Sequence, residues 1–469
     1  MMMDYISTRS AAAPKDFAAV LLDGMAPDGG LYLPRRWPSF SASEITALRG
    51  KSYAATAFAV MRPFIGGMIA DDALRAMIAD TYEGGAFDDP DVAPLRPVRD
   101  TIHLLELFHG PTLSFKDYAL QLVGRLFDHV LEQKNTRMTI VGATSGDTGS
   151  AAIEACKNCR NVDIFILHPK GRTSELQRRQ MTSVDAPNVH NIALEGTFDD
   201  CQDIVKALFA DEAFRADVGL SAVNSINWAR IMAQIVYYFT AAVTMGAPER
   251  DVSFVVPTGN FGNVFAGWCA RRMGLPIRTL GIATNRNDIL TRFFESGEMR
   301  IEQVTPSLSP SMDIQISSNF ERYLFELLGR DHDRLAALMT RFRQDRFFTV
   351  EDVLMQRAHE IFQARRCKDP ETAATIAQIY TETGMVIDPH TAVAMHAALD
   401  LHAADPQTPL AVLACAHPAK FPDAVSRATG TSPPTHPRLE AVKSLPEHVT
   451  TMPADTAQIA AFVRARRNG

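Results

Sequence analysis

The sequence predicts an α/β protein: two units with parallel-rich sheets, joined to a mainly helical N-terminal domain. Three observations carry this. From Ile102 onward, short and nearly continuous apolar runs recur with helical stretches between almost all of them, the pattern of parallel strands covered on both faces. Two of those runs, Met138–Ala143 and Val162–His168, stand at the spacing of a βαβ unit. The length of 469 residues allows about three domains at roughly 150 residues each.

Taken in order, residues 1–95 form the N-terminal domain, which is Ala-rich, with helices expected at Ser43–Arg49 and Asp71–Tyr82. Gly and Pro crowd Gly24–Pro38, which is expected to be irregular. The Asp- and Pro-rich loop Asp88–Pro97 marks a boundary. Residues 96–130 and 248–469 are assigned to one larger α/β unit, and 131–247 to a smaller one. Strands are expected at Ile102–Phe108 and in the later runs VHNIAL, VSFVVP, IRTLGIA and LAVLACA. Asn319–Leu401 reads as predominantly helical, including Arg334–Arg343 and Val350–Arg365, and a helical tail follows the Pro-rich turn Gly430–Arg438.

Composition excludes several classes. Hydrophobic residues are 46 % and charged residues 22 %, an ordinary globular balance. A net charge of −7 gives no electrostatic reason to expect nucleic acid or an anionic membrane as partner. The N-terminus lacks the apolar run of a secretory leader, and Ala233–Gly246, among the longest uncharged apolar stretches, falls short of the 18 or so residues that a membrane helix needs. Six irregularly spaced cysteines cannot build a disulfide scaffold. Cys156 and Cys159 form a C-x-x-C at the end of an expected helix rather than at its start, and no second such pair exists for zinc, so they read as structural thiols with no metal implied.

Three strand-to-helix loops carry chemical signals. In Phe108–Phe127 an amphipathic helix begins near Lys116, with Ser114 as expected N-cap and Asp117 as a first-turn acid. The helix N-terminus is partly positive, so a cation there, beside Phe115, is disfavoured, and the neutral amine that a Schiff-base lysine needs is favoured. A lone lysine of this kind is more often a solvated surface residue. In Val141–Cys156, Thr144, Ser145, Gly146, Asp147 and Thr148 open an Ala-rich helix, where backbone N–H groups and hydroxyls make an anion pocket or simply cap the turn. In Val252–Gly274, Gly259, Asn260, Phe261, Gly262 and Asn263 link a strand to a helix in a turn suited to a phosphate group, or to tight packing alone. Neither loop has the dinucleotide glycine spacing, nor the Gly-Lys-Ser/Thr ending of a nucleotide loop. Together they suit a phosphorylated aldehyde cofactor and a carboxylated substrate.

With these motifs, and with YISTRS (from Tyr5), DGGLYLP (from Asp28), NSINWAR (Asn224–Arg230), SLSPSMDIQISSNFER (Ser307–Arg322), DPHTAVA (Asp388–Ala394) and AHPAKFPDAV (Ala416–Val425), the chain resembles the threonine synthases of bacterial and fungal type over nearly its whole length. The resemblance implies a fold-type-II pyridoxal-phosphate enzyme, akin to the tryptophan synthase β fold. It implies that Lys116 bonds the cofactor and that Gly259, Asn260, Phe261, Gly262 and Asn263 hold its phosphate. It implies further that Thr144, Ser145, Gly146 and Thr148 receive the substrate carboxylate, that Asp147 lies near the cofactor's 3′-oxygen, and that Asn224, Ser225 and Arg230 bind the substrate phosphate. The implied reaction eliminates phosphate from O-phospho-L-homoserine and adds water to give L-threonine, in the cytoplasm and with no obligate protein partner. Cys415 departs from the family, which has Thr at the position facing the pyridine nitrogen; a thiol is a weaker partner with some thiolate character, or a small residue that only packs. His390 and His417 read as a helix cap and a turn former rather than as acid–base groups. Two alternatives stand beside this reading: a related phospho-lyase that stops at a 2-oxo acid, and a non-catalytic anion-binding α/β protein.

Overall fold

The computed structural model describes residues 3–144, 146–221 and 225–467. Two short antiparallel strands, β1 (Tyr5–Ser7) and β2 (Tyr32–Pro34), open the chain. β3 (Leu95–Arg99) and β4 (Ile102–Glu106) follow as an antiparallel pair, then β5 (Met138–Ala143), β6 (Val162–Pro169), β7 (Val189–Glu195) and β8 (Leu220–Ser221). Next come β9 (Val252–Pro257), β10 (Ile277–Thr284), and the antiparallel pair β11 (Glu298–Arg300) and β12 (Phe347–Thr349). β13 (Phe362–Arg366), β14 (Leu410–Ala414) and β15 (Thr450–Pro453) complete the strands. One sheet has the order β13-β10-β9-β14-β4-β3, parallel except for β3; the other is β15-β7-β6-β5-β8, parallel throughout. Pro97 lies in β3, an edge strand, where its missing N–H costs no ladder bond.

The apolar stretch that falls short of a membrane span belongs to helix Trp228–Thr244, buried around most of its circumference. It packs between helix Tyr53–Ile65 of the N-terminal region and helices Lys116–Lys134 and Gly262–Arg272, and a helix apolar all round finds its partners inside such a core. Among the described residues no helix is long and apolar enough to cross a membrane.

Several expectations change. Helix Asp71–Tyr82 has the expected ends, but Tyr32–Pro34 is a strand inside the segment expected to be irregular, held by pairing with β1. The helix expected over Val350–Arg365 is helix Asp352–His359 followed by β13, an edge strand whose sequence FQARR lacks the apolar run that marks a buried strand. The tail assigned with 248–469 to the larger unit crosses over: β15 pairs with β7, and Ile459 and Val463 bury against Phe165 and Leu194 of the smaller sheet. One strand pairing and two buried apolar side chains, all far from the smaller sheet in sequence, outweigh chain proximity here, and nothing local in the tail encodes them.

Candidate active site

The three loops follow the carboxyl ends of β4, β5 and β9 and line one cleft of about 1190 Å³, the position where open α/β sheets bind ligands. Thr144, Gly146's neighbours Asp147 and Thr148, Ser225, Arg230, Gly259 through Asn263, Lys116 and Cys415 all border it. Ser145 and Asn224 lie outside the described residues.

In the first loop the expected N-cap is not used. Phe115 holds the cap position without a side-chain bond, while Ser114 bridges to Ala416 and the Phe115 N–H donates to the Cys415 carbonyl at 2.9 Å, clamping the loop onto the end of β14. Asp117 is not a solvated first-turn acid. It is buried and accepts from the Thr112 N–H and hydroxyl, each at 2.8 Å, and burial pushes its carboxyl up to about 6 against the pull of those bonds. The Lys116 side chain is 12 % exposed, with Nζ 3.8 Å from Asp147 Oδ2. Its amine is pushed below the usual lysine value chiefly by desolvation, opposed by Asp147 and reinforced by Lys420 and Arg230. The direction is the one read from the sequence; the dominant cause is burial.

In the second loop, Thr144 Oγ1 accepts from the Gly146 and Gly149 N–H groups, each at 3.2 Å, so this hydroxyl ties the start of helix Asp147–Cys156 together. Thr148 is half-buried on the cleft wall. Asp147 meets Lys420 Nζ at 2.5 Å through Oδ1 and Gln177 at 3.4 Å; burial pushes its carboxyl up, but the charges of Lys420 and then Lys116 hold it well below the ordinary carboxylate range.

In the third loop, Phe261 has a left-handed backbone (φ 63°) and turns its ring into an aromatic cluster with Phe320, Tyr323 and Phe362. Its backbone thereby leads into the N-terminus of helix Gly262–Arg272, whose free N–H groups suit an anion. A Cβ on Gly259 would come within 3.3 Å of the Ser311 carbonyl oxygen, a tight contact, so those two segments approach closely here. The Asn263 amide is used within the protein: its Oδ1 accepts from Tyr237 and Tyr238 at 2.7 and 3.1 Å, and Nδ2 donates to Cys415 Sγ at 3.7 Å. That leaves its backbone, not its side chain, for a phosphate. Burial pushes the Cys415 thiol far above the ordinary range, so the expected thiolate character is absent and the residue is a neutral thiol.

Arg230 is not a surface charge. It is 3 % exposed, and its Nε and Nη1 have no hydrogen-bond partner among the described residues. Desolvation lowers its guanidinium to about 10. A buried guanidinium without a carboxylate is costly unless an anion joins it, and this one borders the cleft. Gln234, one turn further along the same helix, also borders the cleft with an unpaired Oε1.

His390 does not present a free ring: Nδ1 meets Asp388 at 2.7 Å and Nε2 accepts from the Ser311 N–H at 3.2 Å, steadying the loop opposite Gly259. His417 caps the turn Pro418–Lys420, accepting from the Ala419 N–H, and burial lowers its ring to about 4. Cys156 and Cys159 are free thiols. Among the described residues no cluster of His, Cys, Asp or Glu is placed to hold a metal ion.

Residues the sequence reading passed over also shape the site. Lys420 is fully buried behind Asp147, and nothing in AHPAKF marks it as more than a helix-start lysine. Lys15 and Asp23 through Pro27 give the N-terminal region part of the cleft wall. Asn227 Nδ2 donates to the Leu21 carbonyl and Ser221 to that of Leu22, both from segments flanking the Arg230 helix.

A family model described as pyridoxal-phosphate-dependent enzyme matches residues 94–341, the span holding all three loops. Lys116 and the anion-binding start of helix Gly262–Arg272 on one cleft fit that group, an amine for its aldehyde and N–H donors for its phosphate. The fold and cleft thus define a pyridoxal-phosphate-dependent enzyme of fold type II. On either side, models for the threonine synthase N terminus and C-terminal region match residues 4–82 and 391–463. The chain is 51 % identical to the threonine synthase of Pseudomonas aeruginosa, over 99 % of each chain, and 42 % identical to that of Corynebacterium glutamicum, over 98 % of each. The structure matches a pyridoxal-phosphate-bound threonine synthase from Brucella melitensis with TM-score 0.97 at 50 % identity, covering 100 % of both chains, and the yeast enzyme with TM-score 0.93 at 38 % identity, covering 99 % of this chain and 98 % of the other. The chain belongs to the threonine synthase family.

Proposed function

We propose that the protein converts O-phospho-L-homoserine and water into L-threonine and phosphate. The observation that carries this reading is Arg230: a buried guanidinium whose Nε and Nη1 have no partner among the described residues, on the same cleft as a buried lysine of lowered basicity. A cleft with an amine-binding cofactor and a second cationic anchor suits an amino acid that ends in a phosphate. When bound, pyridoxal phosphate supplies an electron sink for charge developed beside the substrate amine.

The chain's own residues do the rest. Lys116 would hold the cofactor's aldehyde carbon, and the backbone N–H groups at the start of helix Gly262–Arg272 would hold its phosphate. Cys415, a neutral thiol on the cleft wall bonded by the Asn263 amide, would be the partner offered to its ring. Thr148, with Ser145 and the backbone around Gly146, receives the substrate carboxylate. Arg230 and Ser225, with Asn224, grip the substrate phosphate and keep it in place as it leaves. Lys116, as a free amine in a site that disfavours its protonated form, takes protons from Cα and Cβ of the substrate and returns them to Cγ, once phosphate has left, and to Cα, while water adds at Cβ. The setting is cytoplasmic, with no nucleic-acid, membrane or obligate protein partner.

The test is to supply O-phospho-L-homoserine to the holoenzyme, identify the organic product and measure phosphate release. Threonine in step with phosphate is the expected result; a 2-oxo acid in its place assigns the chain to phospho-lyase chemistry. Absence of a visible chromophore in protein purified with pyridoxal phosphate overturns the cofactor assignment.

A further inference from the structure

Asp147 stands between two lysines. Its Oδ1 lies 2.5 Å from Lys420 Nζ, and its Oδ2 lies 3.8 Å from Lys116 Nζ. The Lys420 side chain has no exposed surface, and its second bond, at 2.9 Å, goes to the Thr112 carbonyl. Thr112 in turn gives its N–H and hydroxyl to Asp117, the residue after Lys116. A lysine buried this completely is rare without a paired acid, and burying two cations around one carboxylate costs more than burying one. The reaction itself gives Lys420 nothing to do, since a lysine already carries the cofactor.

We propose that Lys420 is a positioning residue for Lys116: by engaging the Asp147 carboxylate at hydrogen-bonding distance, it withholds the counter-ion that would otherwise keep the Lys116 amine protonated. The inference rests on the reading of Lys116 as the cofactor-bonding amine. Contact distances set the direction. The carboxylate is committed to the nearer ammonium, and the farther one is left with an incomplete partner in a desolvated site. The other groups around the two lysines do not restore that partner. Arg230, from helix Trp228–Thr244, is a further cation, and Gln177, from helix Glu175–Thr182, and Cys415, after β14, are neutral. His390, from helix Pro389–Ala404, is engaged by Asp388 and by the Ser311 N–H. Asp117 shares Thr112 with Lys420, and its carboxyl is turned to the Thr112 donors. Remove the Lys420 charge and Asp147 has one ammonium left to pair with, that of Lys116.

The test follows recapture of pyridoxal phosphate by the apoenzyme across pH, read as the growth of visible absorbance, with borohydride reduction to locate the label. Recapture needs the free amine, so the rate rises with pH through an inflection belonging to Lys116. In Lys420→Met this inflection moves up by about one pH unit or more, so that below it recapture is about tenfold slower, the usual effect of an opposite charge at this range. Lys420→Arg leaves it in place. Asp147→Asn moves it down, and the double variant Lys420→Met/Asp147→Asn returns it toward the wild-type position, because both charges are gone. A Lys420→Met protein that recaptures cofactor on Lys116 more slowly by the same factor at every pH has lost a structural strut only, and overturns the proposal. Should Lys420→Met fail to fold, an unmoved inflection in Asp147→Asn overturns it equally. A label found away from Lys116 removes the reading of Lys116 itself, and this inference with it.

Discussion

Arg230 places a strong demand on what the cleft holds, because its buried Nε and Nη1 find no partner among the described residues and an anion would satisfy them. Charge-assisted hydrogen bonds are worth roughly 1.5–3 kcal/mol each, so Arg230→Ala is expected to lower kcat/KM for O-phospho-L-homoserine by about 100-fold or more, with the cofactor absorbance unchanged. Steady-state kinetics beside an absorbance spectrum check both halves. Cys415 is a neutral thiol that takes a bond from Asn263. Thr supplies a hydroxyl of similar size at that position, so Cys415→Thr retains turnover within a few-fold, whereas Cys415→Val, which cannot hydrogen-bond, loses cofactor affinity; equilibrium titration with pyridoxal phosphate separates the two. Asp117 makes a pH prediction. Its folded-state value, about 6, lies above the unfolded value of 3.8, so the protonated form favours folding and that contribution is full below the unfolded value and lost as pH rises through the folded one. The stability of wild type relative to Asp117→Asn therefore falls as pH rises from about 4 to about 6, and denaturant midpoints at the two ends of that window measure it. At this scale the candidate residue types were legible less from any one Gly-, Thr- or Asn-rich turn, each of which could merely cap or pack, than from three such signals standing in order on one α/β pattern. Their partners were not, since the Asn263 amide turning to Tyr237, Tyr238 and Cys415 depends on segments far apart in sequence.

Helices Lys116–Lys134 and Asp147–Cys156 start at the cleft and pack against each other along their length. Gly124 makes the close approach possible, for a Cβ there would stand 2.3 Å from the Ala155 carbonyl oxygen. A backbone atom cannot yield as a side chain does, so Gly124→Ala forces the helices apart. A destabilisation of about 1–3 kcal/mol follows, and calorimetry should record a melting temperature lower by a few degrees. The parallel strands and these helices were legible from periodicity, since buried strands are short and apolar and the helices between them are amphipathic. β13 and β15 were not. TTMP carries no alternation or apolar run and FQARR only a four-residue alternation, and each becomes a strand because a neighbouring edge offers its unpaired backbone groups.

Across the whole molecule, Arg322 joins regions that are separate in sequence. Fully buried, it donates to the Tyr32 carbonyl at 2.9 Å, to Asn319 Oδ1 and to the Ile226 carbonyl. Asn319 in turn donates its N–H to the Asn260 carbonyl at 3.1 Å and its side-chain amide to that of Ser225. One guanidinium therefore couples the N-terminal strand pair, the loop before the Arg230 helix and the turn that leads into helix Gly262–Arg272. Arg322→Met removes three buried hydrogen bonds, to the two carbonyls and the Asn319 amide oxygen, each loss costing roughly 1–3 kcal/mol. It is expected to lower thermal stability and to weaken pyridoxal phosphate retention together, measured by melting with and without added cofactor. A variant that melts lower yet holds the cofactor as wild type does would show that the coupling stops short of the site.

The sequence by itself determined the class of fold, the three loops, the lysine at a helix start and the family, because each is written in local patterns: apolar runs of strand length, turn residues at fixed offsets and motifs in a fixed order. The tertiary structure decided how those pieces are electrostatically completed. It buried Arg230 with two guanidinium nitrogens unpartnered among the described residues, gave Asp147 to Lys420, made Cys415 neutral and Asp117 reluctant to ionise, and brought the N-terminal region to the cleft wall. The reason is physical. Secondary structure follows from neighbours along the chain, whereas the charge state of a buried group follows from desolvation and from partners that only folding brings within a few ångströms.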